Sequence, residues 1–219
     1  MGFLILRSNM ESYLSRWTDD QDFVKLHNDY NLICNIHNVM DNAMYARIYI
    51  LRQLAKQQSI INPYLDFAEC GVYAGMTMFF TAEFCDKTFI GIDSWEGVSE
   101  PGEFDTEYFK TIKLKSELAW AKNNLSRYPN VLLKKGWIPE VFDEVEESKY
   151  SFVHIDVDLY EPTKKSIEYF WPKIVPGGVL ICDDYGSYKT TGARKAVDDY
   201  FEKHNILELP TGQAIIWKK

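Results

Sequence analysis

The chain has 219 residues, 46% hydrophobic and 26% charged, which is enough apolar material for one large core and argues against a disordered chain. Twenty-four basic side chains stand against 32 acidic ones, a net charge of −8; this argues against a protein that grips nucleic acid through its phosphates. Cys34, Cys70, Cys85 and Cys182 form no CxxC pair and are too few for a disulfide framework, so they read as buried thiols in a reducing cytoplasm.

At the N-terminus the apolar run Phe3-Leu4-Ile5-Leu6 stops at Arg7. It is too short for a bilayer span or a signal-peptide core, and no small-residue cleavage site follows it. A cytoplasmic protein with no membrane partner is expected. The segment through Trp17, Phe23, Leu26, Tyr30 and Ile33 reads as helical, a cap or an arm. From Asp41 to Gln57, Met44, Ile48, Leu51 and Leu54 recur at helical spacing, with Arg47, Arg52 and Lys56 assigned to the other faces.

After Pro63 the pattern changes. Short apolar runs at Leu65–Cys70, Thr88–Ile92, Val131–Lys134, Phe152–Ile155, Val179–Cys182 and Ala214–Trp217 alternate with helix-type spacing over Met76–Phe84, Leu114–Arg127, Thr163–Trp171 and Arg194–Lys203. Such alternation predicts an α/β fold, a mostly parallel sheet with helices on both faces. Pro176-Gly177-Gly178 reads as the turn into the fifth run. Pro210-Thr211-Gly212 reads as a turn before an antiparallel edge strand.

Ligands of such sheets bind outside the carboxyl ends of the strands. The first run ends in Glu69-Cys70-Gly71-Val72-Tyr73-Ala74-Gly75-Met76-Thr77, a glycine turn spaced Gly-x3-Gly and without the third glycine of a dinucleotide fingerprint. The second ends in Ile92-Asp93-Ser94, where an acid suits the two hydroxyls of an adenosine ribose. The fourth runs into Asp156-Val157-Asp158-Leu159-Tyr160 and the fifth into Asp183-Asp184-Tyr185. Adjacent parallel strands lie about 4.8 Å apart, so these carboxylates should crowd one rim, where a hard dication would relieve their repulsion. The blander alternative makes Asp183 and Asp184 helix caps or partners of Arg194 and Lys195.

Leu65–Thr77, Phe89–Ser94, Gly136-Trp137, Ile155–Thr163 and Gly177–Tyr185 together resemble the macrocin O-methyltransferase family, over roughly residues 64 to 219. That family uses S-adenosylmethionine and Mg²⁺ to methylate sugar hydroxyls of natural products. The resemblance implies a class I methyltransferase fold, Rossmann-like, whose mostly parallel seven-stranded sheet has its last strand antiparallel. It implies a helical N-terminal cap at 1–60 and an S-adenosylmethionine-binding catalytic domain at 61–219. Residue by residue, it implies a donor site at Glu69, Gly71, Val72, Tyr73, Gly75, Thr77, Asp93, Ser94, Gly136, Trp137 and Asp156. The metal would sit on Asp156, Asp183 and Asp184. Asp156 also takes the role of catalytic base, with Asp158 its near competitor.

A metal ion chelates vicinal oxygens, so the expected acceptor is a small-molecule diol, most readily a sugar in natural-product or polysaccharide biosynthesis. Three alternatives stay open: a catechol-type phenolic O-methyltransferase, a non-catalytic S-adenosylmethionine-binding module, and an NAD-dependent oxidoreductase. The oxidoreductase is disfavoured by the missing glycine and the unexplained aspartates. The resemblance and the amphipathic N-terminal helix also suggest a homodimer. His154 reads as a packed or hydrogen-bonded histidine, while His27, His37 and His204 have no partner at metal-ligand spacing. Trp95, Tyr108, Phe109, Tyr160, Tyr185 and Tyr188 fall near strand-end loops, and Glu96–Phe109 reads as a mobile loop over the site.

Overall fold

A computed structural model describes residues 20–33, 42–112 and 114–219. Phe3–Leu6, Trp17, Cys34, His37 and Asp41 lie outside them. Helix α1 (Gln21–Ile33) starts where the Asp20 carboxylate accepts the Phe23 amide at 3.0 Å, an N-cap that satisfies one orphan donor of the first turn. Helix α2 (Asn42–Ile61) runs four residues beyond its expected end and stops just before Pro63.

The sheet has seven strands in the order β3-β2-β1-β4-β5-β7-β6. Strands β1 (Asp66–Cys70), β2 (Phe89–Asp93), β3 (Val131–Lys135), β4 (Tyr150–Ile155) and β5 (Ile174–Cys182) are mutually parallel. Strand β7 (Ala214–Trp217) runs antiparallel to β5, and the two-residue β6 (Leu207–Glu208) runs antiparallel to β7. All six residues of β4 are buried, as in a strand covered on both faces. On one face Phe67, Phe152 and Ile181 join Phe23 of α1, Leu51 of α2 and Phe79 and Phe80 of α3 (Met76–Thr81). On the other, Val153, Ile155 and Leu180 pack under Ile167 and Phe170 of a later helix and Ala193 and Val197 of the last one.

Several boundaries differ from expectation for identifiable reasons. Two short helices, α4 (Tyr108–Thr111) and α5 (Leu118–Asn124), occupy the stretch after β2. Helix α5 begins four residues late because Glu117 is extended, and Leu114 is used on the cavity wall. Helix α6 (Tyr160–Phe170) starts three residues early; Pro162 falls in its first turn, where the missing N–H needs no partner. Helix α7 (Thr191–Tyr200) also starts early and ends where Phe201 turns extended. Pro176-Gly177-Gly178 is a bulge inside β5, not a turn. Tyr150 pairs with Ile174 and Phe152 with Val179, and the looped-out backbone still bonds Lys218 on both sides.

The loop read as mobile is pinned at its middle. Asp105 Oδ1 accepts the Tyr160 amide at 2.8 Å, Thr106 donates to the Lys189 carbonyl, and Thr191 donates to the Phe104 carbonyl. Leu159 holds the N-cap position of α6, and Asp105 supplies from far along the chain the acceptor that Leu159 lacks. Cys70, Cys85 and Cys182 are free and buried, and burial pushes the Cys70 thiol up to about 12. Among the described residues no helix is long and apolar enough to cross a membrane.

Candidate active site

A cavity of about 530 Å³ opens at the carboxyl ends of the parallel strands, beside the point where strand order reverses between β1 and β4. Its first half is built on the turn after β1. Gly71 has φ +90°, and a Cβ there would lie 1.8 Å from the Asp156 carbonyl oxygen, so only glycine lets the two strand ends meet. Its amide donates to the Ile92 carbonyl at 2.8 Å, and the Asp156 amide donates to the Cys70 carbonyl at 2.8 Å. These bonds carry the register of three strands into the site.

Asp93, at the end of β2, is held from both sides. The Tyr73 amide donates to its Oδ2 at 2.7 Å and the Trp95 amide to its Oδ1 at 2.6 Å. The Trp95 indole N–H closes the clasp by donating to the Tyr73 carbonyl at 2.8 Å. Tyr73 and Trp95 both sit at φ 52°, a left-handed conformation that costs bulky side chains about 1–3 kcal/mol and gathers at functional sites. Each carboxylate oxygen keeps a lone pair for a hydroxyl.

Of the donor residues named from the sequence, Gly71, Val72, Tyr73 and Thr77 line the cavity. So do Asp93, Ser94, Gly136, Trp137 and Asp156. Gly75 instead starts α3, at φ 83° against Leu125. Glu69 lies below the cavity floor and is 1% exposed; its Oε2 stands 3.6 Å from His154 Nδ1. Burial pushes its carboxyl above the ordinary range, against the pull of the neighbouring imidazole. His154, buried as expected, links Glu69 to Asp183, with Nε2 3.4 Å from Asp183 Oδ1. Lost hydration works against its charge, but the two flanking carboxylates win and hold it well above its usual value.

The acidic rim divides in two. Asp183 is satisfied: Arg47 donates to Oδ2 at 2.7 Å and Gln213 to Oδ1 at 2.7 Å. Burial opposes its ionisation, but His154, Arg47 and Gln213 outweigh that and keep it below the usual range. The others are not so served. Lost hydration, then repulsion from Asp183 and Asp184, lifts Asp156 well above its usual value. Asp158, at φ 63°, is pushed up to about 6 by lost hydration and by Asp183. Asp184 rises to about 8 through burial and the charges of Asp158 and Asp183; its Oδ2 accepts the Asp158 amide at 3.0 Å. The partners considered from the sequence go elsewhere, Arg194 to Glu208 and Lys195 to Asp199.

The sequence pattern puts Arg47 on a face away from the apolar stripe, yet it lines the cavity with Met44, Ile48 and Leu51 of α2. Its spacing of three from Met44 and four from Leu51 was the available signal. Gln213 gave none. Among the described residues no group of three or more His, Cys, Asp or Glu side chains is arranged to hold a metal ion. The donor chemistry nonetheless fits one: carboxylate oxygens are what a hard dication takes, and three of the four are raised, first by burial and then by one another's charge.

A parallel sheet with an antiparallel edge hairpin, a glycine turn after β1 and a clasped acid after β2 defines a class I methyltransferase. The Macrocin-O-methyltransferase (TylF) family matches residues 45–218. The chain belongs to that family and is an O-methyltransferase whose methyl donor is S-adenosylmethionine. It is 25% identical over 177 residues to mycinamicin III 3''-O-methyltransferase of Micromonospora griseorubida, covering 70% of this chain and 68% of that one. To the 8-demethyl-8-(2,3-dimethoxy-alpha-L-rhamnosyl)-tetracenomycin-C 4'-O-methyltransferase of Streptomyces olivaceus it is 26% identical over 140 residues, 58% of this chain and about half (52%) of the relative. The solved O-methyltransferase NovP has the same fold, with a TM-score of 0.70 at 21% identity over 83% of each chain.

Proposed function

We propose that the protein transfers the methyl group of S-adenosylmethionine to a hydroxyl of a small-molecule vicinal diol, a sugar moiety, with a magnesium ion at the acidic rim. One observation carries this reading: the clasped Asp93 and the charge-crowded carboxylates Asp156, Asp158 and Asp184 open into one cavity. The sugar-modifying relatives support the acceptor class.

Asp93 would hold the ribose hydroxyls, with Gly71 giving the donor a close approach to the backbone and Gly136-Trp137 flanking the base. The donor's methyl is already activated, so the protein has to align an acceptor oxygen with it and make that oxygen more anionic. Asp156 and Asp184, with Asp183 beside them, would hold the ion, which lowers the pKa of the acceptor hydroxyl. Asp156 takes the proton in the leading assignment. A second assignment gives it to Asp158, whose value of about 6 suits a base near neutral pH. Residues 1–60 act as the cap, with α2 as the wall over the acceptor. A homodimer belongs to the same reading, supported by the exposed Ile60, Ile61 and Tyr64 at the end of α2.

The test is methyl transfer to a panel of glycosides and catechols, in EDTA and after adding Mg²⁺. Transfer to glycosides that is lost in EDTA and regained with Mg²⁺ is expected, and full activity in EDTA removes the ion from the account. Asp156→Ala should lose transfer by a far larger factor than it loses S-adenosylhomocysteine affinity. If Asp158→Ala alone abolishes turnover, the base is reassigned.

A further inference from the structure

Arg47 reaches from α2 into the acidic rim and makes three contacts there. Its Nη1 donates to Asp183 Oδ2 at 2.7 Å and its Nε to the Thr211 carbonyl at 2.9 Å. Its Nη2 lies against Gly212, where a Cβ would come within 3.0 Å of it. The other oxygen of Asp183 is already taken by Gln213, with His154 beside it. The only Asp183 oxygen left for an ion is therefore the one that Arg47 holds. A guanidinium and a dication on the same oxygen would repel steeply in a cavity partly stripped of water.

We propose that Arg47 is the resident counter-cation of this rim and competes with a divalent ion for Asp183. The proposal rests on the metal reading above. When an ion binds, Arg47 gives up Oδ2, and α2 loses its tie to the end of β5 while the Nε bond to the Thr211 carbonyl is left alone. Because Met44, Ile48 and Leu51 on the same helix line the cavity, ion occupancy and the seating of the acceptor wall become linked. The linkage is reciprocal: whatever holds α2 down also weakens ion binding.

The experiment uses the full chain, with Mn²⁺ as probe, followed by its electron spin resonance signal, and with S-adenosylhomocysteine titrated calorimetrically into the same preparations. Arg47→Met should bind Mn²⁺ at least about tenfold more tightly than wild type, since a neighbouring like charge is gone. Arg47→Lys, which keeps the charge but cannot fork between Asp183 and Thr211, should fall between them. Wild type that binds Mn²⁺ while Arg47→Met binds it no better, with S-adenosylhomocysteine affinity intact, overturns the proposal and spares the metal reading. If neither protein binds Mn²⁺ and both bind S-adenosylhomocysteine, the metal reading falls and takes the proposal with it. Should Arg47→Met fail to fold, the wild-type chain decides: Mn²⁺ should speed amide hydrogen exchange across Met44–Leu51, and unchanged or slower exchange there refutes the competition.

Discussion

Gly71→Ala and Gly97→Ala form a matched pair that separates backbone strain from steric conflict. Gly71 has φ +90° and Gly97 has φ +108°, so each alanine is forced into the left-handed region at about 1–3 kcal/mol. Their surroundings differ. A Cβ at Gly97 would meet nothing nearer than the Leu114 carbonyl at 3.9 Å, whereas one at Gly71 would lie 1.8 Å from the Asp156 carbonyl oxygen and 2.7 Å from its carbon. That backbone cannot yield without breaking the Asp156–Cys70 bond of 2.8 Å between β4 and β1. Leaving those buried groups unpaired costs about 1–3 kcal/mol more. Gly97→Ala should therefore lose about 1–3 kcal/mol and Gly71→Ala about 2–6 kcal/mol, by the two sums. Denaturant unfolding measures the difference, and calorimetry with S-adenosylhomocysteine reads the site. Gly71→Ala should also weaken donor binding, because the displaced turn carries Tyr73, half of the Asp93 clasp. Equal losses in the two variants, with donor binding kept in both, would refute the claim that the two strand ends touch.

Three further outcomes follow from the same geometry. Asp93→Asn sets an amide N–H₂ against the Tyr73 or Trp95 N–H and removes a charged acceptor, so donor affinity should fall by about 1.5–3 kcal/mol; a calorimetric loss below about twofold contradicts the clasp. Asp105→Ala removes the remote cap of α6 and should cost about 0.5–2 kcal/mol in unfolding experiments, with faster amide exchange at Gly102 and Tyr160; unchanged exchange at both means the loop is not pinned there. The third concerns pH. Glu69, Asp156, Asp158 and Asp184 are raised in the folded chain, Asp158 to about 6 and Asp184 to about 8. A folded acid with a raised pKa keeps a proton that the unfolded chain releases above about pH 4, so without divalent ions stability falls as pH rises from there towards about 8. His154, raised as well, pushes the same way. Melts in EDTA should show Tm dropping from about pH 5 to about pH 8, and a rising Tm over that window contradicts the charge crowding.

The parallel strands were legible because each is a short apolar run closed by Asp, Gly or Cys. β1 and β2 fall within a residue of their expected limits. Strand β6 was not, since two half-exposed residues carry no pattern. The Pro176-Gly177-Gly178 bulge reads as a turn because its chemistry is that of a turn. Only pairing with Lys218 across the sheet keeps it in the strand. The Asp105 cap and the Arg47 bridge join positions far apart in the chain, so local spacing can turn Arg47 toward the cavity but cannot name its partner.

The Asp183-Asp184 string shows where sequence could have gone further. Asp183 and Asp184 follow Cys182, the last residue of β5, and both line the cavity, so alternation carried past the strand separates their partners and not the cavity they face. Asp183 continues the face of Ile181, on which α2 and α3 pack, so it meets Arg47, Gln213 and His154 and is held as a satisfied anion. Asp184 continues the face of Cys182, reaches the Asp158 amide, and is left among like charges. Alternation along β5 was readable, and it already separates two aspartates that the motif treats as one unit. What alternation cannot supply is which cation waits on each face, and that decides which carboxylate has capacity to spare for a ligand.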